Sequence, residues 1–192
     1  DKEHDPAQEW LYFPHKSGYL GRYNTITQVT EDLGENLFPA RDFVGYMVYD
    51  KFKDCFYMSH WGNYCIYKFY KTGETWTDGV ASEIYAGSPS QSAVIDGNLL
   101  DARFKEPRGM CIDDDGSLYI VDSGGSHVIR KISAADGFVS TVAGTVGVSE
   151  PATNGDPAQA ILFHPRDITY DGDGNFFIAE WWEATIRRYS VQ

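Results

Sequence analysis

Several things are scarce in this chain, and each shortage narrows what it can be. Nothing approaches the roughly eighteen consecutive apolar residues of a transmembrane helix, so no membrane span is expected. The opening Asp1-Lys2-Glu3-His4-Asp5 has neither the basic nor the apolar segment of a signal peptide, although a leader removed earlier stays open. Positive charge is short too: 16 Lys and Arg stand against 28 Asp and Glu, a formal charge of −12 with no segregated basic stretch, which argues against nucleic acid as a partner. Cysteine is limited to Cys55, Cys65 and Cys111, an odd number, so at least one is free or paired outside the chain. If residues 55–60 and 64–69 form a hairpin around Trp61-Gly62-Asn63, Cys65 faces Ser59, Cys55 faces Phe69, and the two cannot bridge. Small core hydrophobes are the favoured reading of all three.

Catalytic signatures are equally thin. There is no Gly-x-Ser-x-Gly elbow, and His4, His127 and His164 fall at unrelated positions, so nucleophilic catalysis has the least support. Gly124 and Gly125 make no phosphate loop because no helix follows them. No window supports a long amphipathic helix.

What is abundant is strand and turn material: 42% hydrophobic and 15% aromatic residues with 19 Gly and 8 Pro, in 192 residues that can bury a core without staples. The order is repetitive. Pro107-Arg108-Gly109-Met110-Cys111-Ile112, an Asp/Gly turn, and Leu118-Tyr119-Ile120-Val121-Asp122 recur as Pro165-Arg166-Asp167-Ile168-Thr169-Tyr170, a second Asp/Gly turn, and Phe176-Phe177-Ile178-Ala179-Glu180. The offset is 166 minus 108, or 58 residues. His127 to Ile132 answers Thr185 to Tyr189, and Val139 to Gly144 answers Ala81 to Gly87. A weaker copy runs through Tyr46 to Asp50, Cys55 to His60 and Cys65 to Phe69, and a partial one through Leu11 to His15 and Tyr19 to Tyr23. Short β-branched and aromatic runs between Asp/Gly turns predict antiparallel hairpins, four strands to a repeat, as in propeller blades.

The string Pro-Arg-Gly-Met-x-Ile-Asp-x-x-Gly-x-Leu-Tyr-Ile-Val-Asp, followed by Ile-Arg-Lys-Ile and a closing Ala-Gly, resembles an NHL repeat. The resemblance is strongest over residues 104–192 and extends to the C-terminal propeller of bacterial proteins in which an IPT/TIG domain precedes NHL repeats. It implies an all-β chain of four-stranded antiparallel blades, the C-terminal part of a six-bladed propeller, in an extracytoplasmic setting at the periplasm or cell surface. The expected division is a partial blade 1–43, blades 44–104 and 105–163, and a partial blade 164–192, fourteen strands in all. Closing the ring then requires upstream blades, a second copy, or pairing of the two partial blades into a four-bladed ring.

Alignment sets His15, His60, Asp122 and Glu180 at one position, the end of the second strand, with Arg108 and Arg166 at the start of the innermost strands on the same face. Imidazoles and carboxylates meeting at a channel mouth are candidate ligands for calcium or zinc, and propellers such as the gluconolactonases, paraoxonases and peptide-amidating lyases hold metal there. A water-filled lining is the plainer expectation. Trp61, Tyr64, Trp181 and Trp182 occupy the adjoining loops and suit a sugar or peptide surface, or packing between blades. The turns Asp113-Asp114-Asp115-Gly116 and Asp171-Gly172-Asp173-Gly174 read as turn chemistry rather than calcium loops. The expected function is a non-catalytic module presenting a propeller face to a glycan, peptide or protein ligand. The alternatives are a metal-dependent hydrolase or lyase built on the ring of four, and a pure scaffold.

Overall fold

A computed structural model describes residues 10–15, 17–39, 44–148 and 152–190. Its described residues form fourteen β-strands in four antiparallel sheets and no helix. The first sheet contains β1 (Trp10–His15), β2 (Tyr19–Asn24) and β3 (Thr30–Gly34). The second contains β4 (Val44–Asp50), β5 (Cys55–His60), β6 (Cys65–Lys71) and β7 (Val80–Gly87). The third contains β8 (Pro107–Ile112), β9 (Leu118–Asp122), β10 (Val128–Ile132) and β11 (Val139–Ala143). The fourth contains β12 (Pro165–Tyr170), β13 (Asn175–Glu180) and β14 (Thr185–Ser190). Each sheet is a meander whose strands pair in chain order, and β4, β8 and β12 lie side by side as the inner strands of successive sheets. The chain is thus a run of β-propeller blades.

Alternation explains why these sheets stack. Successive side chains of a strand point to opposite faces, so a strand with apolar residues at every position can serve two interfaces. In the third sheet Met110, Leu118, Ile120 and Ile132 face the second sheet and meet Cys55, Tyr57, Ile66 and Phe104. Cys111, Tyr119, Val121 and Ile129 face the fourth and meet Leu162, Ile168, Phe176 and Ile178. A third cluster, Phe56, Met58, Tyr67 and Phe69 with Phe38, packs the second sheet against Tyr12 and Leu37. Strands β5 and β9 are buried along their whole length. Each large apolar side chain buried this way contributes about 1.5–3 kcal/mol.

The turns between first and second strands follow one rule. Asp113 Oδ1 accepts from the Asp115 and Ser117 N–H groups, Asp171 Oδ1 from Asp173 and Asn175, and Asp50 Oδ1 from Phe52 and Lys53. These carboxylates hold their own turns. All three cysteines are free and buried. The β5–β6 register corrects the sequence expectation by one residue: His60 faces Cys65, Ser59 faces Ile66, and Cys55 faces Tyr70. The turn has four residues, ending in Tyr64 with φ of 59°. Ala184 and His127 take the same left-handed conformation, at 51° and 54°, just before β14 and β10.

Candidate functional site

The three inner strands share an irregularity at their starts. Pairing of β4 with β5 slips between Val44 and Met47, of β8 with β9 between Pro107 and Met110, and of β12 with β13 between Pro165 and Asp167. A bulge turns the residues inside it away from the regular pleat. Tyr46, Arg108 and Arg166 sit in these bulges, and all three line one cleft of about 580 Å³ together with Glu180, Trp181 and Ile186.

Two indoles accompany the two arginines. The Arg108 guanidinium lies 4.6 Å from the centre of the Trp61 ring and that of Arg166 5.1 Å from Trp181, within cation–π range. Between them stands Glu106, whose Oε1 accepts from Arg108 Nη2 and lies 3.6 Å from Arg166 Nη1. Burial and the nearby positive charge of Arg166 lower the Arg108 pKa to about 10. Trp181 and Trp182 are 62% and 65% exposed, so both indoles of the pair are open to solvent. Trp182 rests beside His164, 5.7 Å between ring centres. Trp61 and Tyr64 are half-buried.

The four residues expected to form a ring of ligands are engaged elsewhere. Asp122 is fully buried and accepts from the N–H groups of Lys105 and Glu106, while Arg130 Nη1 stands 3.5 Å from its Oδ2. Glu180 repeats the arrangement: Oε1 accepts from the Phe163 N–H at 2.6 Å, Oε2 from the Thr185 hydroxyl at 3.1 Å, and Arg187 Nη1 lies 3.6 Å away. His60 is fully buried with Nε2 at 3.4 Å from the Pro39 carbonyl. His15 Nδ1 accepts from the Ser17 N–H and its ring stacks on Tyr19 at 4.3 Å. Each side chain is therefore turned to its own blade or to the loop entering it. Among the described residues no three His, Cys, Asp or Glu side chains lie together as a metal site would need, so this set does not fit calcium or zinc.

Arg130 and Arg187 complete the pattern. Arg130, fully buried, donates to the Arg103 and Ile95 carbonyls and to Asp96; Arg187 donates to the Ile161 and Thr153 carbonyls and to Asn154. Each carboxylate–arginine pair thus ties a blade to the loop arriving from the blade before. A signal for this was present in the repeat: the two copies ending their second strand in a carboxylate carry Arg on the third strand, whereas the His60 and His15 copies carry Tyr67 and Gly21 there. Glu106 and Tyr46 carried no such signal, since their roles come from the bulges and from the loop preceding β8.

His127 and His164, placed by sequence at unrelated positions, come together. Their rings are 4.6 Å apart, and His127 Nδ1 accepts from the His164 N–H at 3.1 Å, because the β9–β10 turn abuts the entry to β12. His4 lies outside the described residues. Burial, then the adjacent His164, Lys105 and Arg166, hold the His127 imidazole down to about 4. The unfolded chain would take that proton near 6.5, so the contribution of neutral His127 is complete above that pH and is lost as pH falls toward 4. A His127→Asn variant is expected to flatten the loss of stability between pH 6.5 and 4, measured by urea titration; an unchanged slope would place the acid sensitivity elsewhere.

Over residues 16–153 the sequence matches the family model described as the teneurin NHL domain. Chicken (Gallus gallus) teneurin-1 is 25% identical over 181 residues, covering 81% of this chain and 6% of that protein. A structural genomics protein of unknown function from Bacteroides thetaiotaomicron is 36% identical and superposes with a TM-score of 0.85, over 98% of this chain and 46% of its own. A protein from the same organism, described as an auxiliary nutrient binding protein, superposes at 0.73 with 24% identity over 93% of this chain and 44% of its own, a likeness of fold. The chain thus spans a small part of teneurin-1 and somewhat under half of each of these two solved structures. With well over half of its residues inside that match, the chain belongs to the teneurin NHL domain family.

Proposed function

We propose that this chain is a non-catalytic binding module whose ligand, a glycan, peptide or protein, docks on the face formed by Trp61, Arg108, Arg166 and Trp181. The observation that carries the reading is the cleft itself. Three inner-strand bulges converge to put two guanidiniums and the Trp181 indole in a cleft of about 580 Å³, a size suited to a small ligand or one residue of a polymer, with Trp61 against Arg108 beside it. Rigid aromatic faces supply contact area at low entropic cost, and arginine supplies directed hydrogen bonds. The nutrient-binding description of one structural neighbour agrees with this reading. An extracytoplasmic setting suits such a role and forms part of the proposal.

The metal-dependent hydrolase or lyase would need Asp122 and Glu180 to release the backbone N–H groups they hold. Leaving those buried donors unpaired would cost about 1–3 kcal/mol each. The test is a glycan array followed by calorimetry on the wild type and the Trp61→Ala and Trp181→Ala variants. Hits weakened about tenfold or more by either substitution support the face. Hits indifferent to both would place binding elsewhere.

A further inference from the structure

Charge on this face runs against the charge of the molecule. The chain carries −12 overall, yet the carboxylates nearest the cleft are already balanced: Asp122 by Arg130 and Glu180 by Arg187. Arg108 and Arg166 share the carboxylate of Glu106 as their ion-pair partner among the described residues. Lys105 stands immediately before Glu106 in the same loop. Arg108 Nε is buried and has no hydrogen-bond partner among the described residues. Two guanidiniums sharing one carboxylate leave donors of both forks unused.

We propose that Arg108 and Arg166 clamp the carboxylate of a uronic-acid residue in an acidic polysaccharide, with the exposed Trp181 indole receiving the sugar ring. The assignment rests on the binding-module reading and names its ligand class. A planar carboxylate fits the guanidinium fork in two parallel hydrogen bonds. The exposed indole beside the clamp suits the C–H face of a pyranose. Glu106 holds the place of the incoming carboxylate and competes with it.

Calorimetry separates the parts of this idea. The probes are trigalacturonate, the neutral trisaccharide of the same stereochemistry, and inorganic phosphate; the proteins are the wild type, Arg166→Gln and Glu106→Gln, each checked for an unchanged thermal midpoint. The expected result is trigalacturonate binding at least about tenfold tighter than the neutral trisaccharide, weakened about tenfold by Arg166→Gln and strengthened several-fold by Glu106→Gln. Equal binding of acidic and neutral sugars overturns the clamp while leaving the binding module standing. Phosphate binding as tightly as trigalacturonate overturns the sugar assignment. No binding of any probe overturns the clamp, and a blank glycan array removes glycans as the module's ligand while leaving a peptide or protein ligand standing.

Discussion

Replacing Arg130 with alanine is expected to destabilise the protein by about 3–5 kcal/mol, because it strands a buried partner charge instead of removing an exposed pair. Arg130 is wholly enclosed, lies 5.1 Å from the Phe104 ring centre, and bonds two carbonyls of the entering loop as well as Asp96. Its loss leaves Asp122 buried and leaves the Arg103 and Ile95 carbonyls without this donor. In a chain of this size the melting midpoint should fall by roughly 10 °C. The deficit should also depend on pH. Burial already raises the Asp122 carboxyl to about 6, against the opposing pull of the Lys105 N–H and of Arg130. Without the arginine it would rise further and take up a proton more readily, so the deficit should be smaller at pH 5.5 than at pH 8. A loss below about 1 kcal/mol at pH 8 would show that the pair does not hold the blade. Arg130→Lys should recover little, since one ammonium cannot span the three acceptors.

Gly109→Ala is the second large effect. Gly109 lies within the β8 bulge, where an added Cβ would fall 2.4 Å from the Asp167 Cα and 2.9 Å from the Arg166 carbonyl oxygen. Both atoms belong to the backbone of β12, so no side chain can swing aside. The inner strands must separate, at an expected cost of about 1–3 kcal/mol or more. The same displacement moves Arg108 relative to Arg166, so ligand affinity should drop together with stability. A variant that keeps its midpoint and its affinity would mean that the two inner strands do not approach so closely.

Much of this was legible in the sequence, for a physical reason. Strands buried on both faces are written as unbroken apolar runs, and Asp/Gly turns punctuate them, so the repeat yields fourteen strands in groups of three, four, four and three. Alignment puts Arg108 and Arg166 on one face with Trp61 and Trp181 in the adjoining loops; in the structure Arg108 lies beside Trp61, Arg166 beside Trp181, and Glu106 between the two arginines. Direction was harder to read: the second-strand ends share a position, yet Asp122 and Glu180 turn their carboxylates onto N–H groups of the entering loop, His60 lies against Pro39 and His15 against Ser17, and of the four Glu180 also lines the cleft. The one-residue slip at β5–β6 was equally hard to read. Tyr64 adopts a left-handed backbone without being glycine, so the fourth turn residue was invisible.

The ties between blades carry a consequence for how such a surface changes over generations. Asp122 and Glu180 accept from main-chain N–H groups of Lys105, Glu106 and Phe163, and Arg130 and Arg187 give mostly to main-chain carbonyls. Such a tie reads mainly the path of the linker, and takes only Asp96 and Asn154 from its side chains. Mutation can therefore rewrite Lys105 or Glu106, and with them what the rim recognises, while the fastening behind them stays intact. A blade that keeps the carboxylate and the arginine, as those of Asp122 and Glu180 do and those of His60 and His15 do not, keeps the fastening while its loop stays free to diverge.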